Sequence, residues 1–355
     1  MTLLVPAPAP APAREQDEAP PLPRVDPVTR LPILILFPHN RCNCRCLMCD
    51  IWKERAPMEI SAAHVAPWLA EWKELGVLRI VLTGGEALMH SHLWPLCDLF
   101  RGAGIGLTLL SSGLLLARDA ASIVKVIDDV VVSLDGPRDV HDAIRNVPRA
   151  FDRLVEGVAA IRAAGPGVSI TARCTVQRRN ATRLCDTVTA AREAGLQRIS
   201  FLAVDVSSEA FNRPDGIGQE SPDSLALPES ELPALEAELA RLEHVHAHDF
   251  ASGFIAESPG KLRRRLLDYF RAIALGSDFP PNECNAPWVS SVIESDGTVR
   301  PCFFQPALGN IHRAGGLADV LNSETARTFR RNLDVATDPI CRRCVCTLNL
   351  REPAP

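Results

Sequence analysis

Three cysteines near the start of the chain have a spacing that could hold an iron–sulfur cluster. Cys42, Cys46 and Cys49 lie in the run CNCRCLMC and follow the pattern C-x3-C-x2-C. Thiolates on one short loop can each bind an iron of a four-iron cluster, and three of them leave the fourth iron open to a substrate. Zinc is the alternative at this point, because Cys44 would complete the four sulfur ligands of a closed tetrahedral site.

A glycine-rich turn follows farther along the chain. The run Thr83-Gly84-Gly85-Glu86 comes directly after the second predicted strand, and Gly84 lies 35 residues beyond Cys49. The two glycines allow the backbone to approach a ligand closely and leave its carbonyl groups free. Taken alone the pattern predicts only a turn, so its meaning depends on the cysteine loop that precedes it.

Five further cysteines are concentrated near the C-terminus. They are Cys284, Cys302, Cys341, Cys344 and Cys346. The first two enclose Gly297 in the pattern C-x12-G-x4-C across a predicted strand, tight turn and strand, and the next two form a C-x2-C pair. In a reducing compartment such clusters indicate metal or catalytic sites rather than disulfides. A zinc ribbon is the alternative, because paired cysteines also suit zinc.

From Leu31 onward, short apolar runs alternate with amphipathic helical patterns, and these elements must position the motifs. Six runs are predicted strands with few polar residues, as in strands buried on both faces. They span residues 32–37, 78–82, 105–110, 129–134, 168–176 and 198–204. The helical pattern 149–164, which ends at Gly165, is typical of the segments between them. Six βα units are too few for a closed eight-unit barrel, so we predict an open, partial (βα)6 barrel with its site at the carboxyl ends of the strands.

Composition excludes several classes of protein. The chain has 355 residues, 46% of them apolar, and a net charge of −5, which excludes disorder of the whole chain and provides no basic stripe for nucleic acid. The longest charge-free apolar stretch, 102–117, is shorter than the roughly 20 residues that span a bilayer. No secretory signal is visible. We therefore expect a soluble, cytoplasmic protein that binds neither nucleic acid nor membranes.

We expect four segments along the chain. Residues 1–30 are rich in proline and alanine, which favours an extended, disordered tail. Residues 31–250 form the core, residues 251–277 a helical connection, and residues 278–350 a small cysteine-rich domain. Within the core, the stretch 211–227 is rich in Asp, Gly, Pro and Ser and is predicted to be a loop.

Together, the cysteine loop and the glycine turn resemble the radical S-adenosylmethionine (radical SAM) superfamily. The resemblance covers about residues 31–205 and extends through the run SLDGP at 133–137, through His141-Asp142 and through Arg145. Two positions depart from the family pattern. Met48 stands where an aromatic residue is usual, and Ala87 stands where proline is common.

The resemblance implies ligands for a cluster and for SAM. Cys42, Cys46 and Cys49 would ligate a four-iron, four-sulfur cluster whose open iron binds SAM. Candidate SAM-binding residues are Gly84, Gly85 and Glu86 for the methionine amino group, and Ser112, Ser133, Arg145 and Thr175 near the strand ends. Reductive cleavage of SAM would give a 5'-deoxyadenosyl radical that abstracts hydrogen from the substrate.

The C-terminal cysteines resemble the twitch domain, the short relative of the SPASM domain of radical SAM enzymes. This resemblance implies one auxiliary four-iron cluster, so that the chain would hold two such clusters. Its implied ligands are Cys284, Cys302, Cys341 and Cys344. Cys346 is an alternative fourth ligand or a spare thiol.

The implied activity is that of an enzyme, and we predict a radical SAM oxidoreductase. We favour a small, sugar- or cyclitol-like substrate, because no leader-binding domain fits before Leu31. A peptide-modifying maturase is the alternative, and a non-catalytic iron–sulfur or zinc protein is an alternative of another class. Asp205 and Glu209 are candidate acid–base residues, although each could instead cap a helix or lie on the surface. The expected partner is a flavodoxin- or ferredoxin-like electron donor.

Overall fold

A parallel sheet forms the centre of the molecule. The computed structural model describes residues 20–54, 56–213 and 225–352. The strands are β1 (Ile33–Leu36), β2 (Arg79–Leu82), β3 (Gly106–Ser111), β4 (Asp129–Ser133), β5 (Ser169–Val176), β6 (Ile199–Ala203), β7 (Ser290–Ile293), β8 (Thr298–Arg300) and β9 (Gly309–Asn310). The bounds of β1 to β6 differ from the six predicted strands by no more than one residue at either end.

The sheet is open. Its strands lie in the order β6-β5-β4-β3-β2-β1-β7-β8-β9, and β1 to β7 are all parallel. β8 and β9 add two antiparallel strands at one edge. Because β6 and β9 lie at opposite edges, the predicted open, partial barrel is confirmed.

Amphipathic helices cover the sheet. The α-helices are Ala62–Val65, Leu69–Glu74, Leu93–Gly102, Leu116–Val126, Arg138–Arg145, Ala150–Ala164, Leu184–Glu193, Leu232–Val245, Ala247–Ala251, Pro259–Leu262, Tyr269–Leu275, Ala286–Val289, Leu317–Leu321, Glu324–Asn332 and Pro339–Arg342, with a π-helix at Arg263–Asp268. In Ala150–Ala164, the residues Leu154, Val158 and Ile161 are buried, as their helical spacing predicts. This apolar face fixes the helices on the sheet and leaves the strand ends free to build a site.

The C-terminal region is continuous with this sheet. β7 pairs with β1, and a turn at Gly297, whose φ of 83° favours glycine, leads into β8. The predicted strand, turn and strand are therefore present. The first of these strands, β7, extends the core sheet because it pairs with β1, and every residue of β7 is buried there.

Part of the predicted N-terminal tail is packed. Residues 1–19 lie outside the described residues, but Leu22 and Val28 are buried, and Asp26 forms an ion pair of 2.5 Å with Arg330. The prediction of disorder is therefore wrong for residues 20–30, because this stretch has apolar side chains that the preceding proline–alanine repeat lacks.

The predicted loop at 211–227 is described only at its ends. Residues 214–224 lie outside the described residues. Beyond them, Leu225, Ala226 and Leu227 are buried against the core. This end of the stretch therefore contributes to the packed interior.

No helix within residues 20–54, 56–213 and 225–352 has the length and apolar character needed to cross a membrane.

Candidate active site

The cysteine loop follows β1 at the carboxyl edge of the sheet. The Arg45 N–H donates a hydrogen bond of 3.2 Å to the carbonyl of Arg145, and the carbonyl of Arg41 accepts one of 2.9 Å from the Glu86 N–H. The loop is thus attached to the helix Arg138–Arg145 on one side and to the glycine turn on the other.

Hydrogen bonding within the loop separates its four thiols. Hydrogen bonds from Cys44 lower the pKa of Cys42 and, together with Arg145, lower the pKa of Cys46 to about 6, although burial opposes this. The same contacts raise the pKa of Cys44, and burial raises the pKa of Cys49 to about 12. The pKa values of Cys42 and Cys46 are thus lowered towards the thiolate, the form in which cysteine binds a metal.

This donor set suits a cluster better than a single ion. Within the described ranges, no group of three or more Cys, His, Asp or Glu side chains is placed to hold one metal ion. Zinc requires its ligands to converge on one ion, whereas each sulfur ligand of a four-iron cluster binds a different iron. The loop therefore fits a cluster on Cys42, Cys46 and Cys49 better than it fits a zinc site.

The glycine turn packs on the cysteine loop. Gly84 has a φ of 95°, which favours glycine. A Cβ atom at Gly85 would lie 1.9 Å from the carbonyl oxygen of Arg41. The sequence predicted that both glycines make room for a ligand. At Gly85 the close neighbour is instead the backbone that leads into Cys42.

The carboxylate of Glu86 joins this turn to the end of β3. It accepts hydrogen bonds from the Ser111 Oγ at 2.9 Å, from the Ser112 Oγ at 2.6 Å and from the Ser112 N–H at 2.7 Å. Its side chain is buried, with 1% of the residue exposed. The predicted neighbours Glu86 and Ser112 are thus in direct contact, while Ser111 was not predicted.

The predicted residues meet around one cavity of about 260 Å³. Its lining includes every residue predicted to bind the first cluster or SAM, namely Cys42, Cys46, Cys49, Gly84, Gly85, Glu86, Ser112, Ser133, Arg145 and Thr175. Met48 also lines it. The carboxyl ends of β2 to β5 therefore bring together side chains that are more than a hundred residues apart in the sequence.

A buried polar atom beside this cavity lacks a partner. The Oδ1 of Asn43 accepts a hydrogen bond from the Ser112 Oγ at 3.1 Å, but its Nδ2 has no hydrogen-bond partner among the described residues. Buried donors are normally paired, and a polar ligand next to the cysteine loop would satisfy this one. The residues present therefore fit a cluster on Cys42, Cys46 and Cys49 with SAM in the adjoining cavity.

A buried ion pair supports the cysteine loop from the other side. The Arg145 Nε donates to Asp135 Oδ2 at 2.6 Å, and its Nη1 lies 3.5 Å from the Cys46 sulfur. Burial lowers the pKa of Arg145, but Asp135 and Cys46 outweigh burial and raise it. The other oxygen of Asp135 accepts from the Thr175 N–H at 3.1 Å. The sequence analysis included Asp135 only as part of the run SLDGP and gave it no contact. Its position at a strand end, ten residues before Arg145, could have indicated the pair.

The two candidate acid–base residues have different surroundings. The Asp205 carboxylate is buried, pairs with Arg213 at 2.7 Å and accepts from Ser207 and Ser208. These contacts order the segment after β6 and support a structural role for Asp205, although the residue also lines the SAM cavity. Glu209 is exposed and lines a second, larger cleft.

This second cleft, of about 820 Å³, adjoins the SAM cavity. Gly84, Gly85, Phe211, Phe303 and Phe304 line both spaces. The ring centroid of Phe304 lies 6.1 Å from that of Phe211 and 6.5 Å from that of Phe303. The motifs did not predict these aromatic residues. The two adjacent phenylalanines directly after Cys302 could have indicated that part of the cleft.

The C-terminal cysteines lie in one region of the fold. Asn282 donates to the carbonyls of Cys341 at 2.8 Å and Cys344 at 3.1 Å, which fixes the C-x2-C turn to the loop that carries Cys284. Burial raises the pKa of Cys344, and the neighbouring thiols of Cys346, Cys302 and Cys284 contribute to the shift. The structure thus brings the four predicted auxiliary ligands and the alternative Cys346 close together.

Comparison with known proteins identifies the two parts of the chain. The family model of the radical SAM superfamily matches residues 36–178, and that of the SPASM iron–sulfur cluster-binding domain matches residues 284–345. The AdoMet-dependent heme synthase of Oleidesulfovibrio alaskensis is 29% identical over 39% of this chain and 37% of its own length. The chain spans less than half the length of the heme synthases it matches.

One further relative and one solved structure are similar over more of the chain. The PqqA peptide cyclase of Ruegeria pomeroyi is 27% identical over 80% of this chain and 70% of its own length. The crystal structure of SuiB from Streptococcus suis shares the fold, with a TM-score of 0.63 and 16% identity over 89% of this chain and 71% of that one. The chain is therefore a member of the radical SAM superfamily with a C-terminal SPASM iron–sulfur domain, and its cofactors are SAM and four-iron clusters.

Proposed function

We propose that this radical SAM enzyme modifies a peptide. The observation that carries the proposal is the cleft of about 820 Å³ that opens directly beside the SAM cavity. A substrate in the cleft would reach the cavity at Gly84 and Gly85, where the two spaces share their lining.

The cleft has the composition expected of a peptide site. Apolar side chains such as Phe37 and Val292 lie close to polar ones such as Asn40 and Glu209, and the lining extends to Ile340 near the C-terminal cysteines. An extended peptide presents alternating side chains and a row of backbone amides, so it needs both kinds of contact along its length.

The comparisons support a peptide over a sugar-like substrate. The peptide cyclase matches through 80% of this chain, whereas the matches to the AdoMet-dependent heme synthases cover half of it or less. The SuiB crystal structure is that of the protein bound to precursor peptide SuiA. Our expectation of a sugar- or cyclitol-like substrate depended on the short segment before Leu31, and it has no comparable support.

Named residues of the chain have distinct roles in this proposal. When bound, the cluster and SAM supply the hydrogen-abstracting chemistry of the family. The cluster is held by Cys42, Cys46 and Cys49. Arg145 supports the cysteine loop through its contact with the Cys46 sulfur. Phe303 and its aromatic neighbours restrict water at the entrance to the cavity. Glu209 takes up a proton from the substrate in the cleft.

An anaerobic assay with two substrate pools tests the proposal. The reconstituted protein is incubated with SAM and dithionite, together with either a pool of synthetic peptides or a pool of sugars and aminocyclitols. The peptide pool includes peptides encoded next to the gene. Mass spectrometry then detects modified substrate, and 5'-deoxyadenosine is quantified in parallel. We expect a mass change only in the peptide pool.

A variant with Cys42, Cys46 and Cys49 all replaced by Ala is the control and should modify neither pool. Glu209→Gln should retain SAM affinity and lose product formation by about 100-fold, a typical size for the loss of an acid–base residue. A mass change confined to the sugar pool would overturn the peptide proposal.

A further inference from the structure

A basic groove lies beside the C-terminal cysteines, apart from the substrate cleft. Its volume is about 500 Å³, and Cys344 contributes to its wall. It shares Val345 with the SAM cavity, while Cys346 lines the cavity rather than the groove. The segment Cys344–Cys346 therefore separates the two spaces.

The groove is positively charged, although the chain as a whole carries a net charge of −5. Its lining contains five cationic side chains, Lys261, Arg264, Arg265, Arg342 and Arg351, and one carboxylate, Glu283. Arg342 pairs with Asp278 at 2.7 Å. Arg264 is exposed and forms no ion pair with any residue that the structure describes. The groove therefore presents the exposed guanidinium of Arg264 to an anionic partner.

The sequence concentrates this charge in the run KLRRR at 261–265. Residues Arg263–Asp268 adopt a π-helix, a rare conformation that is frequent at functional sites. Phe279, Pro280 and Pro281 also line the groove, and the guanidinium of Arg343 lies 5.7 Å from the ring centroid of Phe279.

The position of the groove decides between kinds of partner. Among the described residues the groove shares only Val345 with the SAM cavity, whereas the substrate cleft shares seven lining residues with it. An occupant of the groove instead lies against Cys344, which we propose as a ligand of the auxiliary cluster. Proximity to a cluster, without access to the reacting atoms, is what an electron carrier requires.

We propose that the basic groove is the docking surface for an acidic, one-electron carrier protein of the flavodoxin or ferredoxin type. In each encounter the reduced carrier gives up one electron to the enzyme and leaves oxidised by one electron. Opposite charges steer such partners together, and their complexes are small and transient. This inference does not depend on the nature of the substrate.

Binding of purified flavodoxin to the reconstituted enzyme tests the proposal. The Kd is measured by microscale thermophoresis at two salt concentrations, about 0.05 M and about 0.3 M, because salt screens exposed charges. Arg264→Glu, and separately Lys261→Gln with Arg264→Gln, both lower the net charge by two. We expect each to weaken flavodoxin binding about tenfold at low salt and to reduce the dependence of the Kd on salt. Iron content and SAM affinity should match the wild type.

Arg153→Glu is the matched control, since Arg153 is an exposed arginine on the helix Ala150–Ala164 and its substitution changes the net charge equally. It should bind flavodoxin as the wild type does. Equal weakening by Arg153→Glu and Arg264→Glu would overturn the proposal, because the effect would then be one of net charge. Unchanged flavodoxin binding by both groove variants, with saturable binding of a poly-glutamate peptide that Arg264→Glu abolishes, would assign the groove to an acidic peptide and also overturn it.

Discussion

The four thiols of the cysteine loop differ at the scale of single residues. Contacts with Cys44 lower the pKa of Cys42 and Cys46, and the Arg145 guanidinium favours the Cys46 thiolate. The spacing in the sequence predicted which cysteines hold the cluster. The spacing could not decide whether Cys44 is a zinc ligand, because the contacts between the thiols depend on how the loop is folded.

Gly85→Ala should damage the cysteine loop. The added Cβ would lie 1.9 Å from the Arg41 carbonyl oxygen, next to Cys42. We expect the iron content to fall from about eight to about four per chain, and the free energy of unfolding to fall by about 1–3 kcal/mol, as in overpacked interiors. Gly167→Ala is the control, since the Cβ that it adds would meet no atom within 4 Å beyond its chain neighbours. Full iron content with weakened SAM binding would show instead that Gly85 makes room for the ligand.

The choice of the fourth auxiliary ligand is also a question about single residues. Asn282 holds the Cys341–Cys344 turn beside Cys284, while Cys346 lines the SAM cavity. We therefore expect Cys346→Ala to retain about eight irons and the auxiliary cluster's spectrum. Cys344→Ala should lose about four. The reverse pattern of iron loss would identify Cys346 as the ligand.

At the scale of elements, the helix Arg138–Arg145 holds both the ion pair and the cysteine loop in place. His141, one turn before Arg145, accepts a hydrogen bond of 3.2 Å from the Asp135 N–H through its Nδ1. This neutral, buried imidazole locks the helix to the end of β4. The helix therefore links strand end, cluster loop and cavity in one rigid unit.

This contact predicts a dependence of stability on pH. Burial lowers the pKa of His141 to about 4, although Asp135 opposes this. The unfolded chain takes up a proton near the ordinary pKa of about 6.5, whereas the folded protein does not. The free energy of unfolding should therefore fall as the pH drops from about 6.5 towards 4, by up to about 1.4 kcal/mol per pH unit.

Urea unfolding under anaerobic conditions measures this effect in the wild type and in His141→Gln. Between about pH 7 and about pH 5.5, the wild type should lose about 1 kcal/mol more than the variant. Other titrating groups, such as His39 and His90, are common to both proteins and cancel in the comparison. Equal losses would mean that burial does not lower the pKa of His141 in the folded protein.

The strands were predictable from sequence because they are short, nearly continuous apolar runs, although in β2 to β5 buried residues alternate with partly exposed ones. The pairing of β7 with β1 was not, because Ile33 and Ser290 are parallel neighbours separated by most of the chain. Local patterns carry no information on such a contact. For the same reason the sequence predicted the C-terminal cysteine-rich domain but not that its strands continue the core sheet.

At the scale of the whole molecule, three spaces lie next to one another. They are the SAM cavity, the cleft beside it and the basic groove at Cys344. The motifs predicted the first of these, because its residues come from strand ends. Of the cleft outside the SAM cavity, the sequence predicted only Glu209 in the segment after β6, and it did not predict the walls that come from β7 and β8.

The measurement that tests the account most directly is 5'-deoxyadenosine formation from SAM by the anaerobically reconstituted protein with dithionite. We predict that the wild-type chain holds about eight irons and eight sulfides and forms this product. A variant with Cys42, Cys46 and Cys49 changed to Ala should keep about four irons and form none. A wild-type chain that holds two zinc ions, contains no sulfide and leaves SAM intact would contradict the account.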